Sequence, residues 1–371
     1  MKDLDILVVG GGIGGLTSAI ALRRAGFTVT IIEKDPEWSV YGVGIIQQSN
    51  VVRAMSGLGL LDDYIHAGFG FDRVDVFSAA GEQIGQIPSP KLVERYPANV
   101  GIGRRALQKV LADRARQMGT QIRLGMTIAA FTDDATGVTV RFSNGEDMRV
   151  DMVIGADGLY SQLRPMLFPD APRPRFTGQA VWRYNFPRAA DLDCLRAFEG
   201  TKGIGLVPLS NDLMYMYVTT PAPGNPFYPK EGMARMMRAQ LAAQAPQIQE
   251  LARQITDDEA VVYKPLEYVL VESPWYKGHV VLLGDAVHAT TPHLGQGAGM
   301  AIEDSIVLAE ELVRHEDLED AFAAYQARRF ERCKYIVDSS AAVSLGQIGL
   351  GPYVDQRTAT GGMYRVISEP I

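Results

Sequence analysis

The chain has 371 residues, 47% hydrophobic and 21% charged, which is enough for two or three domains' worth of core and unlike a disordered composition. Its 36 Lys and Arg against 43 Asp and Glu leave a formal charge of −7 with no basic run, which argues against nucleic acid or an anionic membrane surface as partner. Cys194 and Cys333 are too few for a disulfide framework or a zinc site, and no apolar run approaches the roughly 18 residues of a spanning helix, so a cytoplasmic protein with no metal is expected.

The N-terminus enters a strand at once, Leu4 to Val9, without the features of a signal peptide. Gly10-Gly11-Gly12-Ile13-Gly14-Gly15 follows, then a helical pattern through Arg24 and a second strand, Thr28 to Ile32, ending in Glu33. Glycines at 10, 12 and 15 between two strands, closed by an acid about 20 residues on, form a dinucleotide fingerprint: a tight turn, close approach to pyrophosphate, close helix packing and an acceptor for ribose hydroxyls. Glu33 favours an unphosphorylated ribose, which FAD and NAD share. A solvated strand end is the alternative role for Glu33.

Gly42-Val43-Gly44 and Gln47 to Asn50 read as a polar loop before a helix from Val51 to Met55. Phe71 to Phe77 and Gln83 to Ile87 read as a hairpin. A helix opens at Gly103-Arg104 and runs through Met118. An arginine at a helix start opposes the dipole, so Arg104 either meets a bound anion or makes a surface salt bridge. Strands Val138 to Phe142 and Met148 to Ile154 flank the Asn144-Gly145 turn, and the second ends in Asp157-Gly158. From Gly178 the pattern becomes alternating and aromatic, with strands Ala180 to Phe186, Gly203 to Leu209, Leu213 to Thr219 and Ala260 to Val271, and with helices in 232–255 broken near Pro246. The α/β pattern resumes at Gly278: a strand from Val280 ends in Gly284-Asp285, a loop carries His293, Gly295 and Gly297, and a long helix begins near Ala298. A second long helix spans Asp317 to Leu345, and the glycine-rich tail reads as a loop or an oligomer contact, leaving a homodimer open.

The expected fold is α/β: a Rossmann-like dinucleotide domain with an inserted, mainly antiparallel β substrate domain and a long C-terminal helix. The ranges are 1–72, 98–178 and 272–345 for the first, 73–97 and 179–271 for the second, and 346–371 for the tail.

Three motifs, Gly10-x-Gly12-x-x-Gly15 with Glu33, Asp157-Gly158 and Gly284-Asp285, together resemble the class A flavin-dependent aromatic monooxygenases. The run GDAVHATTPHLGQGAGMAIEDS is most similar to their salicylate-hydroxylase and 6-hydroxynicotinate-monooxygenase branch. The resemblance implies a glutathione-reductase-type FAD domain and FAD contacts from Gly10, Gly12, Gly14, Gly15, Glu33, Lys34, Gln48, Arg104, Asp157, Gly158, Asp285, Gly295, Gly297, Ala298 and Gly299. It further implies NAD(P)H as co-substrate, O2, and hydroxylation of a small aromatic substrate by a C4a-hydroperoxyflavin. Other readings are an FAD oxidase or dehydrogenase without oxygen insertion, and a non-catalytic flavin-binding redox sensor. The chain departs from the family at Tyr41, where relatives often carry an arginine, and along the apolar Ile204 to Leu209 strand.

A helix N-terminus after Gly297 suits the negative charge of reduced flavin, with glycines 295, 297 and 299 admitting its ring. Candidates for activating the substrate are Tyr215 and Tyr217, which share one strand face, and His293. The tyrosines could equally be hydrogen-bonded core residues and His293 loop packing. His288 reads as structural. Arg183 could meet a substrate carboxylate, but a salt bridge to a neighbouring acid is the expectation.

Overall fold

The computed structural model describes residues 4–40, 42–200, 202–272 and 274–371, which leaves Tyr41 outside. Near-continuous apolar runs such as Ile6–Val9 and Val280–Leu282 are buried on both faces, the pattern of parallel strands covered by helices. They build a six-stranded sheet in the order Tyr276–Lys277, Val280–Leu282, Met152–Gly155, Asp5–Val9, Thr28–Glu33 and Gln121–Leu124, parallel except at the Tyr276–Lys277 edge. Helix Ile13–Ala25 packs on helix Gly297–Arg314, and Ser305 Oγ lies 2.8 Å from Thr17 Oγ1 and 2.9 Å from Ser18 Oγ.

The strand expected from Met148 to Ile154 is two strands. Asp147–Val150 closes a three-stranded antiparallel sheet with Gly137–Phe142 and Ile128–Asp134, whereas Met152–Gly155 joins the parallel sheet. The chain turns at Asp151, whose Oδ2 accepts from Asp5 N at 2.6 Å.

A seven-stranded, mainly antiparallel sheet runs Val262–Tyr268, Arg175–Pro187, Leu213–Pro221, Ile204–Pro208, Leu195–Phe198, Arg73–Phe77 and Gln83–Pro88. Alternation decides its faces. Trp182, Tyr184, Phe186, Met214, Met216 and Val218 form a core with helices Met233–Leu241 and Pro246–Arg253, and the intervening positions face a large cavity.

Two loop expectations are corrected. Gly44–Gln47 is a strand pairing with Asn99–Gly103, itself paired to Phe69–Phe71. The tail holds a helix, Gln356–Ser368, capped by Asp355 Oδ2 accepting from Thr358 N at 2.8 Å. It packs on helices Ser49–Gly57 and Leu318–Gln347. Among the described residues, no helix is long and apolar enough to cross a membrane.

Candidate active site

Neighbouring parallel strands ending at Leu282, Gly155 and Val9 deliver three motifs, far apart in sequence, to one sheet edge, the edge where such sheets bind ligands. Two glycines of the first motif are required by packing. Gly10 has φ 110°, and a Cβ there would lie 2.4 Å from Ala156 O; one on Gly15 would lie 1.9 Å from Gly10 O. Gly14 is pressed by Leu283 and Ala301. Gly12 differs: a Cβ there meets nothing within 4 Å, and the position lines the cavity, so this glycine keeps space open for a ligand.

Glu33 turns inward, with Oε2 accepting from Gly11 N at 2.8 Å and Oε1 from Asp35 N at 2.9 Å. Lys34 is exposed. Asp157 Oδ2 accepts from Gln162 N and Leu163 N, while Oδ1 is buried without a partner; its neighbours Ala156 and Gly158 line the cavity.

The cavity has a volume of about 1150 Å³. Two long helices start at its wall, at Ile13 and at Gly297, with no side-chain cap and no acid in either first turn. Their free N–H groups and dipoles favour anions. Gly297 and Ala298 line the cavity, as does Gly295 (φ 65°), whose missing side chain makes room for Gln48. Gln48 Nε2 donates to Leu294 O at 3.0 Å and Oε1 accepts from Gln296 Nε2 at 2.8 Å. Gly299 corrects its expectation: it is buried, and a Cβ would strike Gln296, Val51 and Asn50, so it serves packing rather than access to the ring.

Asp285 follows Gly284 (φ 62°), whose N–H donates to Asp304 Oδ2 at 2.9 Å. Its side chain opens into the cavity, and desolvation raises its pKa against the opposing pull of His288 and Arg104. Arg104 lies in the cavity wall; burial lowers its pKa while Tyr215 and Asp285 hold it up, and it makes no salt bridge among the described residues.

Arg183, Tyr215 and Tyr217 lie on the sheet face opposite that floor, Arg183 directly across from Tyr217 in register. Glycines seat both rings: a Cβ on Gly205 would fall 2.3 Å from Tyr217, and one on Gly44 2.8 Å from Tyr215. The rings are 6.1 Å apart, and burial raises both pKa values, so both stay protonated at neutral pH. The salt bridge expected for Arg183 is absent among the described residues. His293 Nε2 is 3.2 Å from Gln347 Oε1 and Nδ1 is 3.0 Å from Thr291 Oγ1. Burial lowers its pKa to about 4, so it is neutral. Because an amide oxygen only accepts, Nε2 carries the proton.

Beneath the Gly284 turn, Asp304 and Glu303 are fully buried. Arg329 donates to Asp304 Oδ1 at 2.8 Å and to Glu303 Oε2 at 2.7 Å, and His288 Nε2 lies 2.6 Å from Asp304 Oδ2. Although burial alone lowers the His288 pKa, Asp304 and Cys333 raise it well above the usual value, and the ring braces the turn through its contact with Asp304.

The family model described as FAD binding domain matches residues 3–340. The chain belongs to this family. Members similar over nearly its whole length include YetM of Bacillus subtilis (strain 168), which carries the name of an FAD-dependent monooxygenase and is 33% identical over 98% of this chain and 99% of its own. The FAD-dependent urate hydroxylase of Klebsiella pneumoniae is 30% identical over 90% and 88%. The crystal structure of Klebsiella pneumoniae HpxO complexed with FAD and uric acid superposes with a TM-score of 0.84 at 27% identity, covering 99% of this chain and 93% of that one. The family is thus the FAD-dependent monooxygenases of class A type, and the cofactor is FAD. The residues present fit that cofactor: the cradle at Gly12, two uncapped helix starts and the unpaired Arg104 suit a diphosphate-bearing flavin. The sequence missed Gln347, Thr291 and the tail helix as parts of the site, since no local motif marks them.

Proposed function

We propose that this chain uses NAD(P)H and O2 to hydroxylate a small aromatic ring, a phenol or an aromatic acid. One observation carries the reading: the glycine loop, the Gly297 helix start and the Arg183, Tyr215 and Tyr217 face bound one continuous cavity, so a ring seated there lies between the FAD floor and the sheet. FAD, when bound, would pass two electrons from NAD(P)H to O2, so that one oxygen atom enters the ring and the other leaves as water.

The chain's part is to bind, orient and polarise. Gly12 and Gly14 with the Ile13 helix start would hold the diphosphate, on a turn kept tight by Gly10 and Gly15; Asp285 would meet the ribityl hydroxyls; the N–H groups of Gly297 and Ala298 would stabilise negative charge on the reduced ring. Tyr215 and Tyr217 stay protonated, so they donate hydrogen bonds to a substrate oxygen rather than remove its proton. His293 donates an Nε2–H hydrogen bond to Gln347 Oε1 and so fixes the loop. The urate hydroxylase supports this substrate class, since urate is a small heteroaromatic ring.

The test is a panel of phenols and aromatic acids assayed for stimulated NAD(P)H oxidation with peroxide measured in parallel. Stimulation with a hydroxylated product and little peroxide is expected. Turnover that proceeds without oxygen on a dye acceptor would replace the reading with a dehydrogenase.

A further inference from the structure

The cavity wall carries four cations, Arg104, Arg183, Lys264 and Arg357, and four acids, Glu199, Glu267, Asp285 and Asp355, and the acids are engaged away from Arg183. Glu199 pairs with Arg357 at 3.3 Å, Glu267 binds the Tyr160 hydroxyl, and Asp355 caps its own helix. Asp285 is left, and it faces Arg104. Arg183 therefore has no counter-charge and, among the described residues, no hydrogen-bonding partner. Arg183 is half-buried in the cavity wall, where its guanidinium has lost part of its hydration without a charge to replace it, the situation in which a charged group is usually paired. Burial lowers its pKa to about 10, so it still carries its charge at neutral pH. Around it the same face carries the apolar Val181, Leu195 and Ala197, and its polar members are the two tyrosine hydroxyls, Thr219 and, at the Val181 edge, the exposed Lys264.

We propose that Arg183 selects an aromatic substrate bearing a carboxylate, its planar fork taking the carboxylate oxygens while Tyr217 and Tyr215 donate beside it. A guanidinium fork matches a carboxylate in bidentate geometry, and the apolar positions beside it leave the ring itself to Val181, Leu195 and Ala197. Arg183 is thus a specificity residue for the hydroxylation proposed above, on which this inference rests. It supplies the charge that the apolar Ile204–Pro208 strand lacks.

The test is binding to the FAD-loaded protein, read by perturbation of the flavin spectrum, with matched acids and amides: benzoate and benzamide, salicylate and salicylamide, anthranilate and anthranilamide. In the wild type at least one acid binds about tenfold or more tighter than its amide, the scale of a charge-assisted pair. Arg183→Gln brings the two within about threefold with flavin content unchanged, and Arg183→Lys keeps part of the preference. No acid preferred over its amide in any pair, including no binding at all, overturns the proposal, as does a ratio unchanged in Arg183→Gln. If that variant fails to retain FAD, Arg183→Lys decides, since a ratio equal to wild type removes the fork's role. Acid selectivity without stimulated NAD(P)H oxidation leaves the site standing and refutes the hydroxylase reading, so the two failures are distinct.

Discussion

Gly12→Thr and Gly15→Ala separate a glycine kept for a ligand from one kept for the fold. Gly12 is the N-cap of the Ile13–Ala25 helix in extended conformation (φ −78°, ψ −171°), which any residue adopts. Threonine caps about as well as glycine, so apoprotein stability should stay within about 0.5 kcal/mol of wild type. Its side chain would occupy the empty side of the loop, where nothing lies within 4 Å, and displace the diphosphate. Losing one hydrogen bond to a charged group costs about 1.5–3 kcal/mol, or about 10- to 100-fold in Kd for FAD. At Gly15 the balance reverses. Alanine gains about 1 kcal/mol of helix propensity, but its Cβ would sit 1.9 Å from Gly10 O, a backbone atom with no rotamer to escape into. Overpacking of that kind costs about 3 kcal/mol, for a net loss near 2 kcal/mol in the apoprotein. Denaturant unfolding of both apoproteins and FAD titration by flavin fluorescence give the answer. A Gly12→Thr protein binding FAD within about threefold of wild type would refute the cradle, and a fully stable Gly15→Ala apoprotein would refute the packing argument.

Arg329→Leu removes the fully buried cation that Glu303 and Asp304 share, leaving them Arg332 and His288, and should cost about 3–5 kcal/mol; an unchanged denaturant midpoint contradicts this. Tyr217→Phe removes a neutral donor, lowering kcat/KM by about 2- to 10-fold without moving the pH profile. A lost alkaline limb in that variant would identify Tyr217 as an ionising group after all. His293 has a folded pKa of about 4, below its unfolded value, so as pH falls the unfolded chain takes up the proton first. Its contribution is intact above about pH 6.5 and lost toward pH 4, and His293→Gln should flatten stability against pH in that window. Equal slopes for the two proteins would discount it.

The three flavin motifs were legible because each sits at the end of a fully apolar strand, and such strands pack side by side in the parallel sheet. The face shared by Tyr215 and Tyr217 followed from strand alternation alone. Roles that depend on register did not. For Arg183 the sequence favours a neighbouring acid over a substrate carboxylate, yet the strands beside it bring Tyr217 and Val262 across from it, a pairing no local pattern encodes. Gly299 belonged to a run of glycines whose members point to opposite sides of one helix start. The tail helix was hidden by Gly361 and Gly362, poor helix formers. Gly362 is there because a Cβ would lie 2.3 Å from the Tyr335 hydroxyl, and burial of Ala359, Met363 and Ile367 holds the helix against its propensity.

The Gly284 turn is held from Asp304 and, through it, from Arg329 on a helix near the end of the chain. During synthesis the glycine loop leaves the ribosome about 300 residues before that arginine does. A nascent chain can therefore form the first βαβ unit but not a finished flavin seat. Cofactor loading therefore waits for the helix that carries Arg329, and chains truncated before it should emerge flavin-free and be left to the cell's proteases.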